Sequence, residues 1–187
     1  TEESAQFRQL FMQAPGFIAI VVEPAHIFAF INNAYSQLIG HREVVGKPVR
    51  EALPEVVEQG FISLLDRVFE SGEAFVGSGF SVLLQRTPGG TPEERFVDFI
   101  YQPIRNASGK VSGIFVEGSD VTHRILAQEQ QRLLLAELKH RVKSLLMVVQ
   151  VIATQTFRKA ASYEEGLTAF SGRLRALARA QDLILRH

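Results

Sequence analysis

The spacing of apolar residues changes character once along this chain, near position 121. Before it, short runs of β-branched and aromatic residues alternate with short helical stretches; after it, the three- and four-residue spacing of a packed helix continues almost to the end. Phe17–Val22 and Ile27–Ile31 flank Glu23-Pro24-Ala25 and predict a hairpin. Asn32 or Asn33 is placed to cap a short helix through Leu38 that Gly40 stops. Phe61, Leu64, Leu65, Val68 and Phe69 mark an amphipathic helix ended by Gly72. Three more strands are expected over Phe75–Leu84, 95–102 and 111–117. Thr87-Pro88-Gly89-Gly90-Thr91-Pro92 and Asn106-Ala107-Ser108-Gly109 supply the turns between them. Two strands, helices and three strands make an α+β layout.

The second half reads as two helices. One starts where Asp120 or Thr122 can cap it and meets no proline or glycine up to about Lys159. Its apolar seam is Leu135, Leu138, Val142, Leu145, Val149 and Ile152. Ser162 and Glu165 form a capping box for the other, whose seam is Leu167, Phe170, Leu174, Leu177, Gln181 and Ile184. A reversal near Ala161 makes an antiparallel hairpin in which His140 stands level with Gln181 and Asp182. The expected division is 1–121 and 122–187. Leu146, Met147 and Val148 widen the stripe beyond one seam, and a second copy completing four helices would cover them. A homodimer is therefore expected.

With 46% hydrophobic residues in 187, there is ample material for a buried core. Twenty basic and twenty acidic side chains cancel, so no global field favours nucleic acid or anionic lipid. The sequence has no cysteine, which removes disulfides, thiolate nucleophiles, cysteine–zinc sites and flavin photochemistry of the cysteine-adduct kind. The longest apolar runs are too short to span a bilayer, and the amino end lacks a signal-peptide layout. A cytoplasmic location is compatible with these features.

If Leu135 is heptad position a, His140 falls at f, pointing away from the seam. Glu137, three residues before, and Ser144, four after, share its face, and Arg141 and Lys143 put positive charge beside it. On spacing alone the plain reading, a surface histidine on a charged stretch, comes first. The alternative is an imidazole held out from a rigid helix for phosphoryl chemistry.

Residues 134–156 contain Glu137-Leu138-Lys139-His140-Arg141-Val142-Lys143-Ser144 and then Val149-Gln150-Val151-Ile152-Ala153-Thr154-Gln155-Thr156. This stretch resembles the phosphoacceptor helix of sensor histidine kinases of the HWE subfamily. Residues 170–185, with Arg173-Leu174-Arg175-Ala176-Leu177-Ala178, resemble the second dimerisation helix of that subfamily. Residues 7–124 resemble a PAS sensor domain, whose usual closing triplet stands here as Asp120-Val121-Thr122. The resemblance implies a PAS-like sensor followed by a helical hairpin that dimerises into a four-helix bundle. By that resemblance, His140 is autophosphorylated from ATP and the phosphoryl group is relayed to a response regulator. Glu137 would orient the imidazole or take its proton, and Arg141 or Lys143 would steady phosphate oxygens. Lys139 and Ser144 stand where asparagine is expected in most relatives, and Gln181 where histidine is common; Ser144 lacks an amide donor and bears on phosphotransfer.

No nucleotide-binding signature appears, so ATP is expected to be held by the kinase's ATP-binding domain outside this chain, which then reads as a fragment of a longer kinase. The sensed ligand stays open. His26 and His41 read as surface or turn residues, and Phe28, Phe30, Phe80, Phe96, Phe99 and Phe115 as core. Gln128 to Gln131 interrupt the seam and mark a soft point between sensor and acceptor. Two rival readings are a PAS and coiled-coil dimerisation module with an inert His140, and a histidine phosphotransfer protein charged by a separate donor.

Overall fold

The structure, a computed structural model, describes the backbone of residues 2–184 and the side chains of residues 6–181. It separates into two compact units, 1–127 and 128–187. In the first unit, helix α1 (Glu2–Gln13) precedes strands β1 (Phe17–Val22) and β2 (Ile27–Ile31). Helices α2 (Asn33–Leu38) and α3 (Val49–Ala52), a 3₁₀ turn (Pro54–Val56) and helix α4 (Phe61–Ser71) follow. Strands β3 (Phe75–Leu84), β4 (Glu93–Arg105) and β5 (Val111–Asp120) complete the sheet. Its order is β2-β1-β5-β4-β3, antiparallel throughout. The hairpin, the capped short helix and the three later strands are where the apolar pattern puts them.

The core lies on one face of the sheet, under α2 to α4. Val97, Phe99 and Tyr101 alternate inward along β4, and Phe17, Ala19 and Val21 do so along β1. Against them pack Leu38, Val49, Leu53, Leu65 and Val68 from the helical side. A bulge divides the phenylalanines of β2. Ile20 pairs with Phe30 but Val21 pairs with Phe28, so Ala29 is an extra residue. Phe28 is thereby sealed in the core, whereas Phe30 joins Phe11, Ile18, Ile20 and Phe115 in a groove of about 240 Å³. Of the six phenylalanines expected in the core, Phe28 and Phe99 are there; Phe80 is 38% exposed.

Asn32 is the cap, and more. Its Oδ1 accepts from the Tyr35 amide (2.9 Å) and the Ile18 amide (2.8 Å), while its Nδ2 donates to the carbonyls of Gly16 (2.8 Å) and Phe11 (3.2 Å). One buried side chain thus fixes α1, β1 and α2 together. His26 lies in the β1–β2 turn as expected, but buried: its ring Nε2 donates to the Asp66 carboxylate at 2.8 Å and the ring meets Phe69 edge-on.

The second unit consists of most of α5 (Thr122–Lys159) and α6 (Tyr163–Ile184); Ser162 accepts from the Glu165 amide (3.2 Å), as the capping box requires, while the Glu165 carboxylate accepts from the Ala161 amide (3.0 Å), one residue before the cap. Leu145, Val149, Ile152, Phe170, Leu174, Leu177 and Gln181 form a partly buried seam in the expected phase, whereas Leu135, Leu138, Val142 and Leu167, expected in it, are exposed, because among the described residues the single hairpin has no apolar surface facing them. The side chains of Asp182 and Ile184 and all of Leu185 lie outside the described residues.

Candidate functional site

The hairpin is fastened near its turn. Thr156, 4% exposed, donates to the Ile152 carbonyl (2.6 Å) and accepts from Arg173 (2.8 Å), so α5 and α6 share a buried polar link. Phe157 stacks with Tyr163 and packs against Phe170 beside it. Neither contact is evident from the seam pattern, because a threonine in an apolar series usually reads as a weak point.

From this anchor α5 carries His140 on the side opposite the seam. His140, Glu137, Arg141 and Lys143 are exposed and Ser144 is partly covered. Arg141 donates twice to one oxygen of Glu137, from Nε at 3.0 Å and Nη2 at 2.6 Å. Among the described residues, Glu137 makes no hydrogen bond to His140. The five residues are therefore brought onto one stretch of helix, but the carboxylate is engaged with the guanidinium rather than the imidazole. An exposed i,i+4 pair is worth only about 0.3–0.5 kcal/mol, so this engagement is easily exchanged. Met147 and Val151, both 53% exposed, follow His140 by seven and eleven residues, close to whole helical turns, and extend its face with apolar surface.

The sensor unit holds a cavity of about 70 Å³ in its core, bounded by Phe28, Leu65, Val97 and Phe99 and by two tyrosines, Tyr35 and Tyr101. Burial pushes both phenols well above their ordinary range, and for Tyr101 the neighbouring Tyr35 adds to the effect. Tyr101 was legible in the period-two run of β4, but nothing in the sequence pairs it with Tyr35.

At the start of α5, Asp120 accepts from the Thr122 amide (2.9 Å), and the Thr122 hydroxyl accepts from the Phe96 amide (2.9 Å). A second latch stands beside it. Asp98 accepts from the Gly79 amide (2.6 Å), Ser78 (2.9 Å) and Arg124 (2.8 Å), and the Gly79 bond chiefly holds its carboxyl below the usual aspartate range. The first turn of α5 is thus tied to β4 and to the bulge in β3. The Asp98–Arg124 pair was not foreseen, because twenty-six residues separate its members.

Residues 11–126 match the PAS-fold family model and residues 137–187 the model of HWE histidine kinases. The chain belongs to the PAS-fold family. The match to the HWE histidine kinase model lies on its helical hairpin. It is 35% identical over 132 residues to a blue-light-activated histidine kinase of Brucella anthropi, across 70% of this chain and 26% of that protein. A protein of the same description from Brucella ovis is 42% identical over 67 residues, 36% of this chain and 14% of its own. The chain therefore spans about a quarter or less of these relatives. Among solved structures, an RNA-binding light-oxygen-voltage receptor superposes with a TM-score of 0.54 at 22% identity, over 75% of this chain and 38% of that one. The PAS domain of a Colwellia psychrerythraea protein gives 0.51 at 17%, over 65% and 98%. These two support the PAS fold alone. Among the described residues, no helix is long and apolar enough to cross a membrane.

Proposed function

We propose that the chain is the sensor and phosphoacceptor part of a two-component histidine kinase, with His140 the acceptor. The observation that carries this is the placement of His140, exposed on the outward face of a helix in the HWE-matching region, where a nucleotide-holding donor and a receiving partner can each reach it. An imidazole nitrogen attacks the γ-phosphorus of ATP as the bond to ADP breaks, and the ring gives up its proton. The nitrogen–phosphorus bond then breaks as an aspartate oxygen of a response regulator takes the phosphoryl group. ATP is held by the kinase's own nucleotide-binding domain, and little covalent work is left for the acceptor helix beyond positioning and charge stabilisation.

Incoming phosphate oxygens draw Arg141 away from Glu137, because a dianionic group outcompetes an exposed carboxylate for a guanidinium. Glu137 is then released toward the imidazole, Lys143 adds positive charge, and Ser144 supplies a hydroxyl where an amide is usual. The exposed Leu134, Leu138 and Leu146 support a homodimeric four-helix bundle. The 1–121 and 122–187 division makes α5 the connection through which the cytoplasmic sensor would act.

The test supplies the kinase's nucleotide-binding domain and γ-labelled ATP in trans. Label is expected on the parent chain and none on His140→Gln; an unlabelled parent supports the inert module, and label arriving only from a phosphorylated regulator supports the phosphotransfer protein. Sedimentation that finds only monomer at micromolar concentration removes the dimer.

A further inference from the structure

The core cavity of the sensor unit carries two hydrogen-bonding groups that the protein does not itself use. Tyr101 is 7% exposed and lines the cavity with Tyr35, and among the described residues neither hydroxyl has a hydrogen-bond partner. Both phenols stay protonated through the neutral range, since burial disfavours their anions. The rest of the lining is apolar, with no charged side chain. A charged guest would lose its hydration there with nothing to replace it.

Kinship with blue-light-activated kinases raises the question of a flavin, and the lining does not fit one. The cavity, about 70 Å³, is well below the roughly 300–1,000 Å³ of sites for larger ligands. Two phenols cannot satisfy the several polar atoms of a flavin ring. Arg42, whose charge acts on Tyr35, is already committed to Glu55 and to the Ile39 and Ala52 carbonyls and is not free to hold a flavin phosphate. The sequence has no cysteine to form an adduct. By contrast, an apolar cavity of about 150 Å³ takes benzene, so this one suits something smaller.

We propose that the sensor core takes a small neutral molecule of a few heavy atoms, largely apolar, whose single polar group bonds the Tyr35 and Tyr101 hydroxyls, and that it takes no flavin. This rests on the sensor half of the reading above, but it is measured on binding alone. Loss of His140 labelling leaves it untouched, and loss of binding leaves His140 untouched.

The test titrates the full chain by amide NMR with 1-butanol, butyrate, xenon and flavin mononucleotide. Saturable shifts around the cavity are expected with 1-butanol and xenon, and none with butyrate or the flavin. Tyr101→Phe should weaken 1-butanol by roughly two- to tenfold, the worth of one neutral hydrogen bond, and leave xenon unchanged. Tyr35→Phe provides the same comparison if Tyr101→Phe does not fold. Stoichiometric flavin binding, 1-butanol shifts that never saturate, or 1-butanol affinity unchanged from the parent in both tyrosine variants would overturn the proposal.

Discussion

Similar apolar side chains meet opposite fates in the two units. In the sensor, Ile114, Phe28 and Val68 are at most 1% exposed, whereas Leu134, Leu146 and Met147 on α5 are more than half exposed. A five-stranded sheet under helices closes around its own core; a two-helix hairpin has one seam and too many apolar positions to fit in it. The first unit closes a core within its own chain, and the second leaves much of its apolar surface exposed. That difference is one of packing: one unit encloses most of its large apolar side chains, and the other displays them.

The largest expected effect tests the contrast directly. Phe28→Ala should cost the sensor about 3–5 kcal/mol in denaturant unfolding, whereas Leu146→Ala should change the monomer by about 0.5 kcal/mol or less and act on self-association instead. Equal losses from the two in dilute protein would erase the distinction. Asn32→Ala removes a cap and leaves the buried Ile18 amide without a partner, so about 2–3 kcal/mol is expected, read by hydrogen exchange in α1, β1 and α2 together. Protection lost in α2 alone would show that the side chain caps but does not fasten. Thr156→Val should loosen the hairpin by about 1 kcal/mol without touching sensor amides. The smallest effect concerns acid. Because the folded Asp98 carboxyl lies below its ordinary value, its contribution is complete above about pH 4 and fades as pH falls through the folded value. Asp98→Asn should flatten that acid limb of sensor stability, and an unchanged limb would assign it to other carboxylates.

Much of this was legible in the residues because burial and period agree. Strands with one face on the core alternate, and from Leu145 onward the seam kept its phase except at the exposed Leu167. Where the chain hid its structure, tertiary packing decided. Strand β4 was expected to stop before Pro103, yet it runs to Arg105; beyond Tyr101 it has β5 on one side and no β3 on the other, an open ladder edge where proline is tolerated. Helix α3 and the 3₁₀ turn are too short to show a period, and exist because Val49, Leu53 and Val56 are pulled into the core. Helix α1 escaped notice because its Phe7 and Leu10 remain exposed and mark no buried face. On α5, spacing put His140, Glu137, Arg141, Lys143 and Ser144 on one stretch of helix, but which partner Glu137 takes depends on side-chain reach. The two tyrosines are sixty-six positions apart and meet only in the fold.

Helix α2 has six residues, too few to persist alone. Its far end is closed from a distance: Arg86 donates to the carbonyls of Leu38 (3.1 Å) and Gln37 (2.8 Å), and Gly40, at φ +72°, lets the Arg86 backbone approach where a Cβ would clash. Closing that loop of nearly fifty residues has an entropic cost that must be met before the helix is complete. In refolding, α2 amides should therefore gain protection with β3, after the β1–β2 hairpin. Since α2 brings Tyr35, the wall of the cavity is among the last parts to assemble, and a molecule bound there would act on the folding equilibrium at its final step.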